Sequence, residues 1–186
     1  MPATARLFIA LPVDEAVRSA AAELIAGLER TGADYKWVDP RNLHVTLRFF
    51  GETPLERIPE LEALLKAAAR RPPFELVFSG LGAFSSWDDP KVVWLGVGQG
   101  ARELAELAAA LGAGEEGRPF AAHLTLGRRR GRSGIEKLRE AVAAGAPELR
   151  QQADRIALFE SRLGSQCSVY SVRKEERLGA WASAGS

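Results

Sequence analysis

The chain is short of the residues that staple, anchor or metallate a protein. One cysteine, Cys167, among 186 residues excludes an intramolecular disulfide framework and a cysteine-based zinc cluster. No apolar run approaches the roughly 18 residues that cross a bilayer. The stretch Leu7–Pro12 is six residues long, too short for a signal-peptide core, so no targeting segment or membrane helix is expected. A Gly-rich phosphate loop of the nucleotide-triphosphatase type is also missing. Neither sign of charge is in excess: 25 Lys and Arg stand against 24 Asp and Glu, a net charge of +1. That balance argues against coating long nucleic acid through a basic surface, but it permits a small basic pocket. What is present is globular material. At 46% hydrophobic and 26% charged, the composition excludes a wholly disordered chain. The expectation is one domain over residues 1–186 in a soluble, reduced, cytoplasmic protein, monomeric and with no obligate protein partner.

Hydrophobic spacing predicts the elements. Arg6–Leu11 reads as a buried strand, and Val17, Ala20, Leu24 and Leu28 form a helical stripe that stops at Gly32. Tyr35–Val38 and Leu43–Phe50 are strand-like. Thr53-Pro54-Leu55-Glu56 reads as a capping box opening a helix that runs to Pro72. Strands follow at Phe74–Phe78 and Val92–Val97, then a helix over Ala101–Leu111 and a strand over Phe120–Leu126. Ser133-Gly134-Ile135-Glu136 reads as a second capping box, and Arg155–Glu160 and Ser168–Arg173 as the last strands. The tail 182–186 is small and polar and expected to fray. Consecutive strands favour an antiparallel α+β protein over a doubly wound parallel sheet. The element order recurs about twice, before and after residue 90, so two lobes sharing one core are expected.

Both histidines of the chain stand in one tetrapeptide form, His44-Val45-Thr46-Leu47 and His123-Leu124-Thr125-Leu126. With five Thr and 23 Leu in the chain, chance gives this doubled match on the order of one time in 10⁵, a figure that selection after inspection weakens by about two orders. On a strand, His and Thr two apart share one face while the intervening residues enter the core. Two such strands from opposite lobes would bring two imidazoles and two hydroxyls to a tetrahedral phosphate. In-line hydrolysis of a phosphodiester needs a base on one side and an acid on the other, and imidazole serves as either near neutral pH. A lone histidine on an apolar strand is more often a packing residue; the matched pair reverses that weight. Zinc ligation is the weak alternative, because no Cys and no conspicuous third ligand accompanies the pair.

Five residues beyond each histidine stand Phe49 and Arg128. An odd offset turns both away from the His/Thr face unless the strand bulges, a bend that Gly127 makes easy. Arg128 would then fork onto phosphate oxygens; otherwise it belongs to a solvated Arg128–Arg130 run. Arg48 has the parity of the cleft face, or is equally well an ordinary surface arginine at a strand end. Phe49 suits stacking on a base or ribose, or ordinary packing. Trp37 is placed to line the cleft, while Trp87, Trp94 and Trp181 read as packing residues and Cys167 as inert.

These residues give the chain a resemblance to the 2H phosphoesterase superfamily, named for two His-x-Thr motifs. Within it the chain resembles the RNA 2′,3′-cyclic phosphodiesterase group, historically called 2′-5′ RNA ligase. Arg6–Leu11 matches the opening strand, Trp37–Val38 and Asn42–Gly51 the first motif region, Val92–Val97 the central strand and His123–Arg128 the second motif. Ser161-Arg162-Leu163 and Tyr170 resemble the C-terminal hairpin. Ala122 departs from the proline that many relatives carry before the second histidine. The resemblance implies a bilobal α+β fold with pseudo-twofold symmetry, two antiparallel sheets and outer helices around a central cleft. It implies hydrolysis of terminal RNA 2′,3′-cyclic phosphates to 2′-phosphomonoesters with no metal or cofactor. RNA ends or small cyclic nucleotides would be the substrates. His123 would activate water, His44 would protonate the departing O3′, and Thr46, Thr125 and Arg128 would grip the phosphate. Ligation or cleavage of 2′-5′ linkages is the enzymatic alternative, and a non-catalytic RNA-end binder the alternative from another class.

Overall fold

A computed structural model describes residues 3–113, 120–163 and 168–179. The expectations for Cys167, Trp181 and the tail 182–186 lie outside the described residues. Two antiparallel sheets carry the fold. One has four strands in the order β3 (His44–Pro54), β1 (Thr4–Pro12), β8 (Arg155–Leu163) and β9 (Ser168–Arg177). The other has five, in the order β2 (Tyr35–Trp37), β6 (His123–Arg129), β5 (Val92–Val97), β4 (Phe74–Phe84) and β7 (Leu149–Ala153). The sequence β1-α1-β3-α2 recurs as β5-α3-β6-α4, where α1 is Glu15–Glu29, α2 Ile58–Ala68, α3 Ala101–Ala110 and α4 Ile135–Ala143. In each copy the second strand hydrogen-bonds to the first, and β3 and β6 bring the two sheets together. The α+β class and the doubled order are as the sequence predicts.

The core follows from strand alternation. Leu7, Ile9 and Leu11 of β1 are fully buried on the helix side, as are Val93 and Leu95 of β5 and Ile156 and Leu158 of β8. Helix α1 packs beside α4 against the five-stranded sheet, and α2 packs on β8 and β9 of the other. Asp14 caps α1, its carboxylate accepting from the Val17 N–H at 2.8 Å. The buried stripe of α1 is Val17, Ala21, Ile25 and Leu28 rather than the one through Ala20 and Leu24, which are half-buried.

Both expected capping boxes are absent. Strand β3 runs on to Pro54, paired with Thr4 of β1, so Thr53 is a buried strand residue whose hydroxyl donates to the Gly51 carbonyl at 3.1 Å. Helix α2 therefore starts at Ile58 after a 3₁₀ turn, and Leu55 stays exposed. At α4 the cap position is Gly134 in the left-handed conformation, and the Ser133 carbonyl instead accepts from the Asp34 N–H. Strand β6 begins at His123, three residues later than predicted. Strand β4 is longer than predicted because a register shift between Phe78 and Leu81 carries it past Gly80. Strand β7 is one the hydrophobic pattern does not reveal: it reads Leu-Arg-Gln-Gln-Ala and buries Leu149, Gln151 and Ala153.

Candidate active site

Each His-x-Thr strand lies along the strand that starts its repeat. Pro12 of β1 stands opposite His44 and Ala10 opposite Thr46; Gly96 of β5 stands opposite His123 and Trp94 opposite Thr125. The pairing then slips by one residue in both. Ile9 pairs with Arg48 and Val93 with Gly127, leaving Leu47 and Leu126 as the extra residues of two matched bulges. A bulge reverses the alternation, so Phe49 and Arg128 return to the His/Thr face. That settles the parity of Arg48 the other way. It pairs with the core-facing Ile9, donates to the Leu111 carbonyl at the end of α3, and stacks 4.9 Å over Phe50, away from the cleft. Gly127 serves close packing: a Cβ there would meet the Trp37 ring at 2.6 and 2.9 Å.

The same device orients the two imidazoles. His44 Nδ1 lies 2.6 Å from the Asn42 carbonyl oxygen, and His123 Nδ1 lies 2.7 Å from that of Ala121. A carbonyl only accepts, so Nδ1 carries a proton in both rings and Nε2 of each neutral ring is an acceptor. His44 Nε2 meets the Thr46 hydroxyl at 3.0 Å. The His44 ring is sandwiched by aromatic neighbours, with Phe8 at 4.9 Å and Tyr170 edge-on at 5.4 Å. Phe84 stands edge-on to His123 at 4.9 Å and Trp94 lies 6.1 Å away. Burial pushes the His44 pKa down to about 4, and the charges of His123 and Arg128 push the same way against the Asn42 carbonyl. His123 is lowered too, first by burial and then by Arg128. Both rings are therefore neutral in the free protein at neutral pH.

A cleft of about 470 Å³ opens between the sheets, and His44, Thr46, Phe49, Thr125 and Arg128 form part of its wall. His123 does not itself line this volume. It stands on the same strand face as Thr125, close enough to His44 for its charge to lower that imidazole's pKa. Arg128 is exposed and has no carboxylate partner among the described residues, whereas Arg129 is tied to Asp89 at 2.6 Å. The run of three arginines is thus split between the cleft and an ion pair. Trp37 stacks on Tyr35 at 5.1 Å and is not in the wall, while Trp94, read as packing, sits beside His123.

The wall also holds residues that motif spacing does not single out: Arg6 and Phe8 from β1, Asn42, and Ser161, Ser168 and Tyr170 from the β8–β9 hairpin. Strand parity could have flagged Arg6 and Phe8, which alternate with Leu7 and Ile9. The hairpin residues reach the cleft only through sheet order. The charged side chains of the wall are arginines alone, so the cleft favours an anion. Among the described residues no helix is long and apolar enough to cross a membrane.

Two antiparallel sheets meeting at paired His-x-Thr strands define a 2H phosphoesterase fold, and comparison with known proteins agrees. A crystal structure of a Thermus thermophilus protein superposes with a TM-score of 0.77 at 30% identity, covering 94% of this chain and 98% of the other. Escherichia coli LigT in complex with phosphate gives 0.71 at 25% identity, covering 94% and 98%. A curated RNA 2′,3′-cyclic phosphodiesterase of Thermotoga maritima is 33% identical over 178 residues, 91% of this chain and 94% of that protein. One of Archaeoglobus fulgidus with the same name is 37% identical over 130 residues, 66% and 72%. A family model described as the 2′-5′ RNA ligase superfamily matches residues 12–164, and the chain belongs to that superfamily.

Proposed function

We propose that the chain hydrolyses the 2′,3′-cyclic phosphate at an RNA end to a 2′-phosphomonoester, with the two histidines as acid and base. The observation that carries this reading is the matched pair of bulged strands. Each locks an imidazole through Nδ1 to a backbone carbonyl and sets a threonine beside it. The names of the curated relatives supply the substrate class, and arginine as the only charged residue of the wall suits its charge.

His123 Nε2, with no hydrogen-bond partner among the described residues, takes a proton from the attacking water as the water oxygen bonds to phosphorus. The P–O3′ bond breaks on the far side, and His44 Nε2–H delivers a proton to O3′. The bound anion provides for that second role, because a negative charge beside a depressed imidazole raises its pKa. Thr46, Thr125 and Arg128 donate to the non-bridging oxygens, and the arginine offsets the charge that grows on them. Phe49, 52% exposed at the rim, offers its face to a base or ribose. No step needs a metal, and among the described residues no group of three or more His, Cys, Asp or Glu gathers to hold one.

The test is turnover of an oligoribonucleotide ending in a 2′,3′-cyclic phosphate, with chelator present. The expected product is the 2′-phosphate, and His44→Ala or His123→Ala should each lose about 10²–10⁴-fold. Near-normal turnover by both variants overturns the mechanism. Binding without hydrolysis by the unaltered protein points to an RNA-end binder. Preferential cleavage or joining of 2′-5′ linkages points to the ligase-type reaction.

A further inference from the structure

Arg6 lines the cleft but belongs to neither His-x-Thr strand. Its guanidinium carbon lies 5.0 Å over the Phe49 ring, and among the described residues it has no ion-pair partner. The carboxylate opposite it on β3, Glu52, accepts from the Thr4 hydroxyl at 3.2 Å instead. An arginine held over an aromatic ring need not spend its N–H donors on a carboxylate. On the other side of β1, Arg6 stands opposite Ser161 of β8, which also lines the cleft. Directly opposed residues of antiparallel strands share a face, so a hydroxyl stands beside the cation. Arg6 and Ser161 thus repeat, on the β1–β8 side, the cation-and-hydroxyl pairing of Arg128 and Thr125.

Position decides what this second pairing can hold. The level of the proposed reacting phosphate is set by Thr46, opposite Ala10. Phe49, under the Arg6 guanidinium, is opposite Phe8, two residues further along β1. Two strand residues span about 7 Å, roughly one nucleotide of backbone. We infer that Arg6, with Ser161 beside it, holds the phosphodiester joining the terminal nucleotide to the one before it. The cleft then takes the end of an RNA chain in preference to a free nucleoside cyclic phosphate. This rests on the cyclic-phosphodiesterase reading and adds to it the substrate's length.

The experiment compares kcat/KM for two substrates, a nucleoside 2′,3′-cyclic phosphate and a dinucleotide ending in the same cyclic nucleotide. The unaltered protein should favour the dinucleotide at least tenfold. Arg6→Gln should remove most of that preference through KM, and Ser161→Ala part of it. Salt gives a second readout. For the unaltered protein, added salt should lower kcat/KM more steeply for the dinucleotide, because it screens one further arginine–phosphate attraction, and Arg6→Gln should cancel the difference. Equal loss on both substrates overturns the inference, because it assigns Arg6 to the reacting phosphate or to the cleft wall itself. So does an unchanged preference in Arg6→Gln, or equal turnover of the two substrates by the unaltered protein. Hydrolysis of neither substrate by the unaltered protein defeats the underlying phosphodiesterase reading instead, and is told apart by that result.

Discussion

At the scale of the residue, the two imidazoles are held by contacts that also set their protonation. For His44 the folded pKa of about 4 lies below the 6.5 of an ordinary histidine, because aromatic rings replace water around it. Above pH 6.5 the ring is neutral in both folded and unfolded chains, and the shift has no effect on stability. As pH falls from 6.5 toward 4 the unfolded chain takes up a proton that the folded chain resists, so stability is lost across that window, up to about 3 kcal/mol. Urea unfolding across this range should show a steeper acid decline for the unaltered protein than for His44→Gln. Asp39, Asp89 and Glu160, held low first by hydrogen bonds from arginines, contribute equally to both. Parallel declines would show that burial does not hold His44 neutral. The same pair predicts a bell-shaped dependence of kcat/KM on pH, with the acidic limb centred below 6.5, since both rings are depressed. A flat profile from about pH 5 to pH 9 contradicts two-imidazole catalysis.

At the scale of the element, the bulges decide what reaches the cleft. The His-x-Thr spacing was readable because strand period alone puts those two side chains on one face. The bulge after each threonine was not, since Leu47 and Leu126 are buried like any core leucine and carry no turn signal. Hence Arg48 could be assigned the wrong face, and Phe49 and Arg128 the right one only conditionally. Gly127 does hint at the second bulge, though it serves the Trp37 ring. Gly127→Ala should cost about 1–3 kcal/mol by pushing that ring off β6; thermal unfolding checks this, and an unchanged midpoint contradicts the close approach. Strand β7 is hard to read from the sequence because one of the three residues on its inward face is polar. Gln151, 7% exposed, accepts from the Asp14 N–H at 2.9 Å and donates to the Pro12 carbonyl at 3.2 Å. It ties β7 to the turn that starts α1, just past the residue facing His44. Gln151→Leu leaves two backbone groups unpaired and should cost about 1–3 kcal/mol, readable by denaturant unfolding. The first capping box fails for a related reason. Long-range pairing of Thr53 with Ala5 of β1 outweighs a local helix start.

At the scale of the whole molecule, the fold is a doubled β-α-β-α unit whose second strands meet. Doubling was legible as a repeated element order, and the two tetrapeptides mark equivalent places in the copies. The copies differ five residues beyond each histidine, which the spacing shows, but doubling could not reveal how the fold answers that difference. Phe49 in one stands for Arg128 in the other, and Arg6 brings the missing cation in from the neighbouring strand. Sheet order, unlike strand spacing, joins residues far apart in sequence, as with Ser161, Ser168 and Tyr170. The central claim is that the imidazoles of the two copies answer to a single bound phosphate. It is tested most directly by following the ring nitrogens of both histidines by NMR while a nucleoside 2′-phosphate is added. Both sets of signals should move with one shared binding curve, and the pKa of His44 should rise from its depressed value. Signals from only one ring moving, or curves with separate midpoints, would contradict that claim.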